Sequence, residues 1–289
     1  HVGVERNDGR AGAALAPREI REQLLRLTIS KGSEEISSGF VIADAGDLQC
    51  DELSLEEIHE RQCETVNYLL QKANNVVVIG GGHDVAFANG RALALNCNAV
   101  GIINIDAHLD VRPLRHASRD SSLRLAHSGS PFRQLLDHLH GQIPGGCFAE
   151  FGIQAFVAAA THVAYVQEKN HRVYMLDELR ERGIQRSLRE WTHTTLQQVD
   201  ALYCSFDMDA VASAFAPGVS APATDGFTVE EILACMHHLA LLQQSRLMDI
   251  VEANPLHDVD KRTMRLAARM IATYIWQKAR MRDAVRTVG

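Results

Sequence analysis

The chain has 289 residues, of which 29 are Lys or Arg and 36 are Asp or Glu, giving a formal charge of −7. Apolar residues make up 46% and charged residues 22%, ordinary for a folded chain in water and too apolar for intrinsic disorder. A mildly acidic chain with scattered Lys and Arg gives no support for nucleic-acid binding or a polybasic membrane anchor. No apolar run approaches the roughly 18 residues of a membrane span, and the longest, such as Asn75–Gly80, are strand-sized. The six cysteines form no CxxC and are expected to be reduced, mostly buried thiols. These features predict one domain over residues 1–289, located in the cytoplasm, with a native N-terminus upstream of His1.

In chain order, Pro17–Leu27 reads as a helix, with a helix-start Pro and with Ile20, Leu24 and Leu27 at helical spacing. A strand is predicted at Phe40–Ala43, a helix at Leu55–Lys72, a strand at Asn75–Ile79 and a helix at Val85–Ala94. The strand Ala99–Ile105 follows, then the least patterned stretch, Pro113–Gly146. Strands are predicted again at Arg172–Leu176, Ala201–Phe206 and Leu247–Glu252, and helices at Val229–Leu242 and Lys261–Lys278. Thr228 is placed to cap the helix after it, with Glu230 and Glu231 in the first turn. Alternating strands that are apolar on both faces predict an α/β fold, a mostly parallel sheet covered by helices on both sides. Sites in such sheets form beyond the carboxyl ends of the strands.

Three strand ends carry chemistry. Ala99–Ile105 runs into Asp106-Ala107-His108-Leu109-Asp110, where extended geometry would point the i, i+2 and i+4 side chains to one face. Ala201–Phe206 runs into Asp207-Met208-Asp209, and Asn75–Ile79 into Gly80-Gly81-Gly82-His83. Each motif alone is an ordinary polar strand end or loop; their joint placement after separate strands is more specific. Four carboxylates supply a charge of about −4, which two divalent cations would neutralise. Oxygen-rich ligands with imidazole and no thiolate favour Mn²⁺ or a similar ion, and two such ions can hold a bridging hydroxide for hydrolysis. The glycine run has neither GK[ST] nor GxGxxG spacing, and no nucleophile elbow is present.

Gly80-Gly81-Gly82-His83, Asn104-Ile105-Asp106-Ala107-His108-Leu109-Asp110, Ser205-Phe206-Asp207-Met208-Asp209 and Val251-Glu252-Ala253-Asn254-Pro255 resemble, in order, the signatures of the arginase/agmatinase ureohydrolase family. The resemblance runs from Arg10-Ala11-Gly12-Ala13 to the helix after Pro255. It implies a three-layer α/β/α fold, two manganese ions per subunit, a trimer or hexamer of identical chains, and hydrolysis of a C–N bond in a guanidinium or amidine. By position, it implies that His83, Asp106, Asp110 and Asp207 hold one ion, and His108, Asp106, Asp207 and Asp209 the other. Asp110 would also bond the bridging hydroxide, and Glu252 would bind the cationic amidine N–H groups.

Within that family three features differ from arginases. Ala212 stands where a further Asp is usual, and Ala216-Pro217-Gly218-Val219-Ser220-Ala221-Pro222 resembles formimidoylglutamases instead. Arg112 replaces an Asn that helps bind the amino-acid head group. Ser128-Gly129-Ser130-Pro131-Phe132 resembles the formimidoylglutamase form of a loop, with Phe132 where arginases carry a proton-shuttling His; His127 nearby is read as a solvated loop residue. Gly3-Val4-Glu5-Arg6-Asn7-Asp8-Gly9-Arg10 and Asp258-Val259-Asp260-Lys261-Arg262-Thr263 are similar to formimidoylglutamase stretches as well. The resemblance therefore implies hydrolysis of N-formimidoyl-L-glutamate to L-glutamate and formamide, with Arg112, Ser128, Gly129 and Ser130 binding this small-molecule substrate. The alternatives are another ureohydrolase (arginase, agmatinase or guanidino-acid hydrolase) or a metal-poor, non-catalytic relative.

Overall fold

A computed structural model describes residues 2–28, 40–118 and 121–286 of the chain, with side chains as far as residue 281. The described strands are β1 (Val76–Ile79), β2 (Val100–Ile105), the short pair β3 (Arg115–His116) and β4 (Arg124–Leu125), β5 (Phe148–Ile153), β6 (Arg172–Met175), β7 (Ala201–Asp207) and β8 (Ser245–Val251). The helices are α1 (Val2–Arg6), α2 (Ala16–Leu24), α3 (Leu55–Lys72), α4 (Val85–Ala94), α5 (Pro131–His138), α6 (Ala160–Glu168), α7 (Leu176–Arg182), α8 (Ile184–Thr195), α9 (Val229–Ala240) and α10 (Arg262–Arg286). Among the described residues no helix is long and apolar enough to cross a membrane, and all six cysteines are free.

Six strands form one parallel sheet in the order β1-β8-β7-β2-β5-β6. From β2 the chain first builds outward through β5 and β6, then returns to place β7 on the other side of β2. The winding direction thus reverses between β2 and β7, and there the loops beyond the strands part to leave a crevice.

Strand alternation sorts the side chains onto two faces. Ile103, Ile105, Phe151, Leu202, Cys204, Phe206, Met248 and Ile250 join a core with residues of α2, α7, α8, α9 and α10. Val76, Val100, Ile102, Phe148, Ala201, Tyr203 and Leu247 join a second core with α3, α4, α5 and α6. These two cores make the three layers α/β/α, as expected.

The second face changes character along the strands. Beyond Ile102, Phe148, Tyr203 and Leu247 come Asn104, Glu150, Ser205 and Asp249, all fully buried. They are partners in register across β5, β2, β7 and β8. One further step brings Asp106 and Asp207. The face therefore runs from apolar residues through a polar belt to acidic strand ends.

Most predicted elements are found with ends shifted by a few residues. The strand expected at Phe40–Ala43 is an exception. The segment has no regular structure, and Val41 and Ile42 are 82% and 58% exposed. Arg21 of α2 holds the adjoining stretch through ion pairs to Asp44 and Asp47. Strand propensity without a neighbouring edge leaves the backbone bonds of a strand unmade. Conversely, β5 escapes detection because Glu150 and Gly152 interrupt its apolar run. The unpatterned Pro113–Gly146 contains the β3–β4 pair and α5, whose Pro131 opens the helix.

Thr228 caps α9 as expected. Its hydroxyl accepts the Glu231 N–H at 3.2 Å, and the Glu231 carboxylate accepts the Thr228 N–H at 2.8 Å. Removing the cap by Thr228→Ala should lower stability by about 1 kcal/mol. The check is a urea denaturation midpoint below the parent's.

Candidate metal centre

The loop after β1 brings His83 to the crevice. Gly82 lies so close to its surroundings that a side chain there would sit 2.5 Å from Val4 and 3.4 Å from Glu252 Oε1, so the loop can be tight only without one. His83 is fully buried, its backbone N–H donates to Glu252 Oε1 at 2.6 Å, and the Phe132 ring meets its ring edge-on at 5.1 Å. Its Nδ1 lies 2.9 Å from Asp207 Oδ2, 3.0 Å from Asp110 Oδ2 and 3.4 Å from Asp106 Oδ2. Despite these distances, Nδ1 has no partner in hydrogen-bonding alignment.

Asp106 and Asp207 leave their strands in the same way. Asp106 Oδ1 accepts the His108 N–H at 2.9 Å, and Asp207 Oδ1 accepts the Asp209 N–H at 2.6 Å. Each carboxylate so bends the chain behind it. The expected alternation of Asp106, His108 and Asp110 on one extended face does not occur. The chain turns after Ile105, and Asp110 adopts a left-handed φ of 48°. The bend turns Asp110 toward His83 and leaves His108 Nδ1 3.4 Å from Asp106 and 3.9 Å from Asp209. Glu252 is also left-handed, with φ 60°. Its N–H donates to Gly81 O at 2.8 Å and its carbonyl accepts the Ser220 N–H at 3.2 Å. Backbone held in this region at two acidic residues is tolerated only because the neighbouring loops over-determine it.

Ligand atoms of His83, Asp106, Asp110 and Asp207 all lie within 4.8 Å of one another. Burial, and then the charge of Asp106, pushes the Asp207 carboxyl up to about 7. Burial and Asp207 push Asp209 well above its ordinary value and Glu252 up to about 8. Burial would lower both imidazoles, but the surrounding carboxylates overcome it, raising His108 to about 9 and His83 well above its ordinary value. Burial would likewise raise Asp106, and its two imidazole neighbours hold it low instead. Crowded acids that resist ionising together, around an imidazole nitrogen aligned with none of them, fit a divalent cation. Oxygen and imidazole donors without thiolate suit manganese.

A cavity of about 160 Å³ lies over the cluster. His108, Asp110, Asp207, Asp209 and Glu252 line it from below; Asn7, Arg112 and Ser128 line it from the side. Arg112 donates to Asn7 Oδ1 at 3.0 Å, and Asn7 Nδ2 donates to Ser128 Oγ at 3.2 Å. Gly129 and Ser130 stand behind this wall. The Gly129 carbonyl accepts the Arg112 N–H at 2.9 Å, and the Ser130 hydroxyl donates to His127 O at 2.8 Å. His127 is not solvated as expected: it is 1% exposed, its Nε2 bonded to Pro113 O and its Nδ1 accepting the Gly129 N–H. Phe132 is wholly buried in α5. Asn7 had no local signal beyond its place in the Gly3–Arg10 stretch, because only the fold brings it opposite Arg112.

A model of the arginase family matches residues 2–276. A formimidoylglutamase of Paraburkholderia xenovorans is 34% identical, the match covering 93% of this chain and 82% of that protein. A crystal structure of Trypanosoma cruzi formiminoglutamase with Mn²⁺ superimposes with a TM-score of 0.86 at 34% identity, covering 96% of this chain and 90% of that one. The formimidoylglutamase of Bacillus subtilis gives a TM-score of 0.84 at 25% identity, covering 93% and 83%.

Two outcomes are expected of the cluster. Asp207→Ala removes the carboxylate nearest His83 and should abolish manganese binding, measured as metal content after dialysis. The second concerns pH in the chelated protein. Asp207, Asp209, Glu252, His83 and His108 all have raised folded values, so their stabilising contribution is full below their ordinary pKa. It is lost as pH rises through the shifted values, about 7 for Asp207, about 8 for Glu252 and about 9 for His108. Asp106 has the opposite sign, but its contribution is already complete above about pH 4. The melting temperature of chelated protein should therefore fall from pH 5 to 9 relative to the manganese-loaded form. A gap that does not widen would contradict the electrostatic reading.

Proposed function

The chain belongs to the arginase family, and from that premise we propose that it hydrolyses N-formimidoyl-L-glutamate to L-glutamate and formamide, a step of histidine degradation. The observation that carries the proposal is His83 Nδ1, buried among three carboxylates yet aligned with none. Its support in kind is similarity to proteins named formimidoylglutamase over nearly the whole chain. The protein is read as a single ureohydrolase domain, residues 1–289, located in the cytoplasm and assembled as a trimer or hexamer.

Two manganese ions per subunit fit the donors. His83, Asp106, Asp110 and Asp207 would hold one, and His108, Asp106, Asp207 and Asp209 the other, with Asp106 and Asp207 shared. Bound manganese supplies Lewis acidity and a water nucleophile at neutral pH. The remaining tasks fall to side chains. Glu252 Oε2 is buried without a partner, so it is the acceptor available for the N–H groups of the amidine. Holding them fixes the electrophilic carbon over the cluster. Water adds to that carbon, and the bond to the glutamate nitrogen breaks as that nitrogen takes a proton. Asp110 lines the cavity, which supports giving it the transfer of the proton from water to the departing amine.

Arg112 and Ser128 on the side wall face the part of the substrate beyond the amidine. The substrate carries two carboxylates, and a guanidinium matches one of them in charge and in its forked geometry. Through Gly129 and Ser130 the loop is held, not the ligand itself.

Manganese-loaded protein should release formamide from N-formimidoyl-L-glutamate and leave arginine and agmatine unhydrolysed; preference for either of the latter would overturn the substrate assignment. Arg112→Ala should lower kcat/KM by the equivalent of about 2–4 kcal/mol with manganese content unchanged. Arg112→Lys should recover only part of it.

A further inference from the structure

The polar belt beneath the strand ends has a defined direction of hydrogen bonding. Asp249 Oδ1 accepts from the Ser205 hydroxyl at 2.7 Å, and its Oδ2 accepts from Asn89 Nδ2 at 2.7 Å and from the Tyr203 hydroxyl. All four residues are fully buried. Three donors converge on this one carboxylate, which has no hydrogen to give when ionised. The single hydroxyl hydrogen of Ser205 is thus committed to Asp249. What remains on Ser205 Oγ is acceptor capacity alone, and His83 Nε2 lies 2.9 Å from it. An accepting oxygen there requires a hydrogen on Nε2. That hydrogen stays in place whether or not Nδ1 is also protonated, so the nitrogen whose lone pair can be freed is Nδ1, the one facing Asp106, Asp110 and Asp207.

We propose that Asp249, acting through Ser205, is a positioning residue that fixes the tautomer and ring orientation of His83, presenting Nδ1 to the cation. The proposal rests on the reading above that His83 is a metal ligand. The bonding is anchored well away from the site. Ser205 and Asp249 face each other in register on β7 and β8, and Asn89 of α4 is itself held by Gln62 of α3 at 2.8 Å. The rigid sheet, together with the α3–α4 layer, therefore sets the angle of a ring that sits on a loop. The Phe132 edge contact supports one side of the ring, but an aromatic edge cannot choose between its two nitrogens. Asn104 plays a parallel part for the neighbouring ligand. It donates to Asp106 Oδ2 at 3.2 Å and to Glu150 Oε2 at 2.8 Å, so a second buried carboxylate stands behind the ligand set at the same level of the sheet.

The test is Mn²⁺ affinity, measured by titration calorimetry or chelator competition, together with thermal melts followed by circular dichroism. Ser205→Ala should weaken Mn²⁺ binding about 10- to 100-fold, and Asp249→Asn comparably. Ser205→Thr, which keeps the hydroxyl, should restore much of the affinity. Because the two residues act in series, the double variant should bind no more weakly than the weaker single one. Thr228→Ala serves as the control, expected to lower the melting temperature with affinity unchanged. Should Asp249→Asn fail to fold, Ser205→Ala decides alone, since it removes one oxygen. Variants that melt earlier but bind Mn²⁺ as the parent does would make the belt a folding device only and overturn the proposal. A parent that binds no Mn²⁺ would overturn the metal reading as well, so the two failures are distinguishable.

Discussion

Like charge held out of water is the constraint around which the crevice is organised. Asp106, Asp207, Asp209 and Glu252 are each 3% exposed or less, and carboxylates so placed repel one another in a medium that screens poorly. Folding alone offsets part of this with two imidazoles and with backbone N–H groups bonded to Asp106, Asp207, Asp209 and Glu252. The rest is left for a divalent cation to offset, the role proposed above for manganese. The left-handed backbone at Asp110 and Glu252 has the same origin, because those two carboxylates reach the crevice only if the chain turns sharply after a strand.

The sheet can carry this concentration of charge because its two cores lie elsewhere. Helices α3, α4, α5 and α6 cover one face and α2, α7, α8, α9 and α10 the other, so most of the apolar burial is independent of the strand ends. Between apolar sheet and acidic crevice, Asn104, Glu150, Ser205 and Asp249 grade one environment into the other. A belt of this kind is expensive to bury unless its members are bonded. Asn104 Oδ1 and Glu150 Oε1 have no partner, and the bonds that are made run to another member, to Asp106 or His83, to Tyr203, or to α4.

The side wall of the cavity is built on a different principle. The first residues of the chain fold back over the loop beyond the β3–β4 pair: Ser128 N–H donates to Gly3 O at 3.0 Å, and Arg6 donates to Ala126 O at 3.1 Å. This docking brings Asn7 and Arg112, 105 positions apart, into one hydrogen bond. The acidic cluster is anchored at or just beyond the ends of β1, β2, β7 and β8, whereas the wall comes from loops whose shape depends on each other.

Much of this was legible in the amino-acid order. Apolar runs on both faces announced a covered parallel sheet, and the residue types after three of those runs announced a cluster of imidazole and carboxylates able to hold a metal, because local hydrophobic pattern and ligand chemistry are properties of short segments. Phe40–Ala43 shows the limit on one side: a strand-like composition stays a loop when no edge is offered to it. Glu150 shows the limit on the other, since a carboxylate inside a strand is comprehensible only once Asn104 is found beside it. His127 read as solvated until the fold closed Pro113 and Gly129 around it. The bend that aims Asp110, the direction of hydrogen bonding from Asp249 to His83, and the pairing of Asn7 with Arg112 were decided by tertiary structure alone. Each depends on which atoms meet from segments far apart in the chain, and no local pattern of residues encodes that meeting.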